Sequence, residues 1–270
     1  MRMSSPTRLI LISSLLIPCA IISLPIRAQA PRGSAEQMLF DSANRERAAQ
    51  RLRPLRWDNS LAAGARQHAQ RMAQQNILSH QLPGEEDFKA RAVRAGAHFS
   101  SLAENIAEGP DAPGIHMQWM NSRPHRENLL DPNLDSIGIA VAERGGEMFA
   151  VEDFSLAVAD LTLEEQELEV AAILIDKNLH VMNDVRGKGS ADASAMVTEA
   201  RNACAQNGKY VGVRRNSFVV RYTTSDLSHL PESLSLQLRK NEFHSAAVGA
   251  CSAYDKSNFS TYRLAILLFD

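Results

Sequence analysis

Two histidines and a glutamate stand in three short fragments of this 270-residue chain, Leu78-Ser79-His80, Ala103-Glu104-Asn105-Ile106-Ala107 and Trp119 to Asn128. If the fold gathers His80, Glu104 and His125 into one cleft, two imidazoles and a carboxylate form the ligand set of an open zinc site. There Zn2+ or another divalent cation would sit on His80 and His125, with Glu104 as third ligand or as the base acting on a bound water. Without metal, the same groups can exchange hydrogen bonds with a small polar ligand, or move a proton near neutral pH. A third use is purely architectural, a polar network that fixes loops around a sheet.

These residues must be positioned by helices that precede strands. The spacing predicts a helix over Ala35 to Gln50, then the extended link Arg53-Pro54-Leu55-Arg56-Trp57. Asp58 is suited to cap a second helix, with Leu61, Ala65, Ala69, Met72 and Ala73 at helical spacing, ending near Asn76. A third helix is expected from Glu85 to Ala95, closed by Gly96, and a fourth from Ala112 to Asn121. Glu104 and Asn105 read as loop residues. Ile137, Ile139 and Val141 alternate, as does Met148 to Phe154, and Gly145-Gly146 between them marks a hairpin. Helices followed by a terminal hairpin suggest a layered sandwich of helices on a small antiparallel sheet.

Taken in order, Asn44-x-x-Arg47, Pro54-Leu55-x-Trp57, His80, Glu104-Asn105, the Trp119 to Asn128 block and the closing strand resemble the CAP superfamily. This is the group of cysteine-rich secretory proteins, antigen 5 and pathogenesis-related proteins. The resemblance covers residues 35–158 and implies an α+β fold, the CAP-like α-β-α sandwich. It also implies a cleft with two histidines and two acids, of which His80, Glu104 and His125 match three. The second acid would fall at Ser122, and a hydroxyl cannot serve as base or anionic ligand. Asp153 could restore the charge, although alternation could equally turn it to solvent. His116, three residues before Trp119, is a further candidate for the cleft rim. Ser122 and His125 are spaced to share a turn, but no third residue is evident to orient the imidazole for a serine hydrolase.

Residues 161–270 read as a second small α+β domain of unassigned role. Thr162 and Glu165 form a capping box before a helix, and a second helix is expected over Ala193 to Gln206. Strands are expected at Phe218 to Tyr222, Ala246 to Ala250 and Tyr262 to Phe269, with a short helix from Pro231 to Arg239. The run Arg186-Gly187-Lys188-Gly189-Ser190 lacks the strand-to-helix setting of a phosphate loop. No tandem repeat is visible.

Arg2 and Arg8 precede an apolar run from Leu9 to Ile26, and Ala28-Gln29-Ala30 matches a signal-peptidase site, so residues 1–30 read as an export signal. An uncleaved anchor is the alternative, weakened by Pro18 and Pro25. No later stretch is long enough to span a bilayer. Removing Arg2, Arg8 and Arg27 leaves 26 of the 29 basic side chains against 31 acidic ones, a formal charge of −5. That balance, without basic runs interleaved with aromatics, excludes a nucleic-acid partner. An oxidising location, extracellular or periplasmic, favours a Cys204–Cys251 disulfide over two buried thiols. The expected partner is a small ligand, such as a lipid, glycan or peptide, or a component of the cell envelope. The alternatives are a zinc-dependent hydrolase of peptides or envelope polymers, and a structural export product whose cleft does nothing.

Overall fold

The computed structural model describes residues 33–183, 190–206, 217–252 and 259–270. The expected export signal and most of the Arg186 to Ser190 run lie outside them. Among the described residues no helix is long and apolar enough to cross a membrane.

The first half begins with α1 (Ser34–Ala49), β1 (Arg56–Trp57) and α2 (Asn59–Gln75). The Asp58 side chain accepts from the backbone N–H groups of Ser60 and Leu61, and Asn76 closes α2 in the left-handed conformation. Next come α3 (Phe88–Arg94), β2 (Phe99–Gly109), α4 (Ala112–Asn121), α5 (Arg123–Leu129), β3 (Ser136–Arg144) and β4 (Glu147–Ala157). The strands form one sheet in the order β1-β3-β4-β2, with β1 parallel to β3 and the other pairs antiparallel. Leu39, Ile115, Trp119, Ile137, Ala150 and Phe154 pack α1 and α4 on one face. Ala65, Ala69, Met72, Phe149 and Val151 pack α2 on the other, giving three layers.

Several expectations shift. α3 starts at Phe88, because the Asp87 side chain caps it through the Ala90 N–H. The Trp119 to Asn128 block spans two helices: α4 ends at Asn121 as expected, and Ser122 stands before a separate α5, in whose first turn it and His125 lie together. Glu104 and Asn105 are not in a loop but in the middle of β2, opposite Asp153 and Glu152 of β4. The sequence hides this strand, because its polar residues are buried with partners instead of alternating toward water.

The motif residues Asn44 and Arg47 are staples. Asn44 exchanges two hydrogen bonds with the backbone of Leu55. Arg47, fully buried, donates to the carbonyls of Arg53, Leu129, Asp131 and Leu134 at 2.9–3.0 Å, tying α1 to the segment that leads into β3. These bonds satisfy carbonyls that would otherwise be stranded in the interior.

The second half carries α6 (Leu163–Asp176), β5 (His180–Val181), α7 (Ala191–Ala205), β6 (Phe218–Thr224), α8 (Glu232–Arg239), β7 (Ser245–Cys251) and β8 (Tyr262–Phe269). Its sheet runs β5-β7-β8-β6, with β5 parallel to β7 and the rest antiparallel. Strand order and strand sense therefore repeat those of the first half, and so does element order apart from α3 and α5, which have no counterpart among the described residues, although no repeat is legible in sequence. Val170, Leu174, Leu234, Leu264, Ile266 and Leu268 bury α6 and α8 on one face, and Met196, Ala200, Ala265 and Leu267 bury α7 on the other.

The correspondence extends to contacts. In the first half Glu36 of α1 takes up Arg66 of α2 and the Val141 N–H of β3. In the second, Glu167 of α6 takes up Arg201 of α7, at 2.6 and 2.7 Å, and the Ala250 N–H of β7. A glycine lets each middle helix lie against its sheet: a Cβ on Gly138 would stand 2.1 Å from the Ala62 nitrogen, and one on Gly249 2.2 Å from the Arg201 nitrogen. Cys204 and Cys251 are joined, fixing α7 to the end of β7.

Candidate functional site

β2 is an edge strand, and the candidate site is built along it. His80 arrives from the loop after α2, and its Nδ1 lies 2.8 Å from Glu104 Oε1. The other oxygen of Glu104 accepts from the Arg91 guanidinium of α3. Arg91, only 2% exposed, also donates to the His80 carbonyl at 3.0 Å, so one buried cation fixes both members of the His–Glu pair. Behind Arg91, at 3.8 Å, stands Glu85, whose Oε2 is 2.9 Å from Nδ1 of the fully buried His68. A polar chain thus runs from α2 through α3 to the His80–Glu104 pair.

Asp153 sits beneath Glu104 and hydrogen-bonds it, as the β2–β4 register requires. It is 2% exposed, so it does not face solvent. Burial, and then the Glu104 charge, raise its pKa well above the ordinary value. That shift disfavours a second negative charge beside Glu104.

His125 lies in the first turn of α5. The Asn105 side chain donates to its carbonyl at 3.0 Å and to Glu152 Oε2 at 3.3 Å, while Asn128 donates to the Glu104 carbonyl and to Asn105 Oδ1. Asn128 and Asn105 so dock α5 on the outer edge of β2. Glu152 is fully buried, and desolvation pushes its pKa up to about 8.

The two cleft imidazoles are tuned in opposite directions. The hydrogen bond to Glu104 raises the pKa of His80, against burial, whereas burial and then the nearby His80 charge lower that of His125. One ring thus holds its proton more firmly than an ordinary imidazole and the other less firmly. His80 has committed Nδ1 to Glu104, so what it offers a ligand is Nε2, the geometry that a carboxylate gives a metal-binding histidine.

The donor set does not fit a three-ligand zinc centre. Both Glu104 oxygens are engaged, and among the described residues no group of three or more His, Cys, Asp and Glu side chains is arranged to hold a metal ion. Ser122 makes no side-chain capping bond to α5, and among the described residues no carboxylate orients His125, so no Ser-His pair is assembled. His116 turns toward α1, its Nε2 3.7 Å from Glu46, and both of its ring nitrogens are buried without a hydrogen-bond partner. Sequence reasoning missed Arg91, Glu85, His68 and Glu152. The visible signal was a pair of adjacent acids, Glu152-Asp153, inside an otherwise apolar strand.

Residues 40–154 match the model of the CAP family, described as the cysteine-rich secretory protein family. The uncharacterized protein YkwD of Bacillus subtilis (strain 168) is 35% identical over 111 residues, 41% of this chain and 43% of that one. The uncharacterized membrane protein YlbC of the same organism is 30% identical over 109 residues, 40% of this chain and 32% of that one. The match therefore spans less than half the length of these curated relatives. Among solved structures, an extracellular protein containing an SCP domain from Bacillus anthracis str. Ames is 28% identical with a TM-score of 0.42, covering 47% of this chain and 45% of that one. An outer surface protein from Borrelia burgdorferi is 21% identical with a TM-score of 0.44, covering 47% of this chain and 96% of that one.

Proposed function

Residues 40–154 form a CAP domain, and from that premise we propose that the protein is exported and binds a small polar ligand between His80 and His125. The ligand would be the hydrogen-bonding part of a glycan, a peptide or a lipid headgroup of the cell envelope. Export is supported by the signal-like first 30 residues and by the extracellular description of the Bacillus anthracis protein. One observation carries the binding reading: the second half folds with the same topology around an apolar central strand, Leu264 to Phe269. The fold does not require acids there. Burying Arg91, Glu104, Glu152 and Asp153 costs desolvation, which is intelligible where those groups set two imidazoles for a ligand.

A divalent cation is the second reading, favoured by the free Nε2 of a carboxylate-bound His80. It would rest on two nitrogen ligands, too few for an open catalytic centre of three protein ligands. No hydrolytic step is derived from it.

The test is calorimetric titration with zinc, and NMR titration with cell-wall peptide fragments, of the wild-type protein and His80→Ala. The reading expects fragment binding that disappears in His80→Ala while the melting temperature is kept. A stability loss without any binding would leave the trio as scaffold, and zinc-dependent cleavage of the fragments would instead establish the hydrolase.

A further inference from the structure

A cavity of about 210 Å³ opens in the second half, among α6, the end of β5 and α7. Part of its polar wall is spent on the fold. Glu167, its side chain 2% exposed, accepts from Nε and Nη2 of Arg201 and from the Ala250 N–H, and Asn183 exchanges two hydrogen bonds with the Val248 backbone. Two charged groups are left over. Arg201 is bonded along one edge only, so Nη1 keeps both of its donors, on a side chain that is 48% exposed. Glu164, exposed on the same wall, has no hydrogen-bond or ion-pair partner among the described residues. The hydrogen bonds to Glu167 raise the pKa of Arg201, against burial, and the charges of Glu167 and Glu164 add to them. The Glu164 carboxylate is therefore near the guanidinium without being paired to it.

The apolar wall includes Leu168, Met182 and Val197, each partly exposed and so accessible from the cavity. The repeated scaffold does not demand this combination. Glu36 of α1 holds the place of Glu167, and the positions matching Glu164 and Leu168 are there Gly33 and Gln37, without a carboxylate or an aliphatic side chain. A simple cation would meet Arg201, and a simple anion would meet Glu164. The complement to both is a molecule that carries both charges beside an apolar group. The volume, below the roughly 300–1,000 Å³ of pockets for drug-sized ligands, keeps that molecule small.

We propose that this cavity binds a small apolar amino acid, its carboxylate accepting from Arg201 Nη1, its ammonium facing the Glu164 carboxylate and its side chain lying against Leu168, Met182 and Val197. The site is lined by residues of the second half, and neither this reading nor that of the His80–His125 cleft depends on the other.

The test is titration of the full protein, by calorimetry or NMR, with leucine, with 4-methylpentanoate, which lacks the ammonium, and with 3-methylbutylamine, which lacks the carboxylate. Leucine should bind about tenfold or more tighter than either analogue, the effect of one charge-assisted hydrogen bond. Glu164→Gln removes a charge that pairs with nothing else, so it should keep the fold. It should weaken leucine about fivefold at low salt, as expected for an exposed ion pair, and leave 4-methylpentanoate no weaker. Absence of leucine binding up to about 10 mM, an analogue that binds as well as leucine, or unchanged leucine affinity in Glu164→Gln would overturn the proposal.

Discussion

The two halves of the chain solve the same topological problem with opposite interiors. In β4 the central strand carries Glu152 and Asp153, one toward α1 and α5, the other toward α2 and α3. In β8 the equivalent faces are Leu264, Ile266 and Leu268 on one side and Ala265 and Leu267 on the other. The first half also inserts α5 between α4 and β3, whereas residues 240–244 between α8 and β7 leave no room for such a helix. The second half is tied instead by the Cys204–Cys251 bond. The layered scaffold therefore needs neither acids on its central strand nor a histidine-bearing helix. Where they occur, they serve the edge of β2.

That contrast can be broken most forcefully at Arg91. Arg91→Met should cost about 3–5 kcal/mol in chemical denaturation, because Glu104 would be left buried without its cation. A loss below about 1 kcal/mol would mean that the Glu104 pocket is wetter than its burial implies.

Glu152 sharpens the comparison through pH. Its pKa is raised from 4.5 to about 8 by burial, so as pH climbs through that window the unfolded chain releases the proton while the native state holds it. Glu152 therefore destabilises the native state increasingly from pH 4.5 to 8, by up to a few kcal/mol at about 1.4 kcal/mol per unit. Glu152→Gln should raise the melting temperature more at pH 8 than at pH 5. An equal gain at both values would contradict the buried, protonated carboxyl. No residue of the described β8 should give such a pH-dependent gain.

In the second half, replacing both Cys204 and Cys251 by Ala should cost about 2–4 kcal/mol, read as a fall in denaturation midpoint. The cleft imidazoles should be undisturbed by it, and altered His80 or His125 titration would show that the halves are coupled. The smallest effect is expected for His80→Ala, about 1 kcal/mol or less, since the ring is more exposed than buried and its ion pair is screened. A loss comparable with Arg91→Met would make His80 a structural residue.

Much of the scaffold was legible because it obeys local rules. Asp58 and Thr162 announce helix starts through capping, Gly145-Gly146 announces a hairpin, and the alternation of Ile137, Ile139 and Val141 follows the pleat. The residues His80, Glu104 and His125 were also legible as a set, from their fragments. Their supports were not. Arg91 looks like one of several charges on a short helix, and only long-range packing shows it buried against Glu104. β2 was hidden because Glu104 and Asn105 break the apolar alternation that marks a strand, and α5 because Ser122 and Pro124 interrupt one helical run. The repeated topology was invisible because strand order is set by tertiary pairing, while of the two central strands one carries acids that the other lacks.

The buried polar cluster tunes the two imidazoles and does not hold the fold. The most direct measurement is an NMR pH titration of His80 and His125 in the wild type and in the triple variant Arg91→Met, Glu104→Leu, Asp153→Leu, which gives the first half an interior like the second. In the wild type His80 should titrate above His125, the triple variant should still fold, and the gap between the two imidazoles should narrow in it. Imidazoles that titrate together in the wild type, or a triple variant that cannot fold, would contradict it.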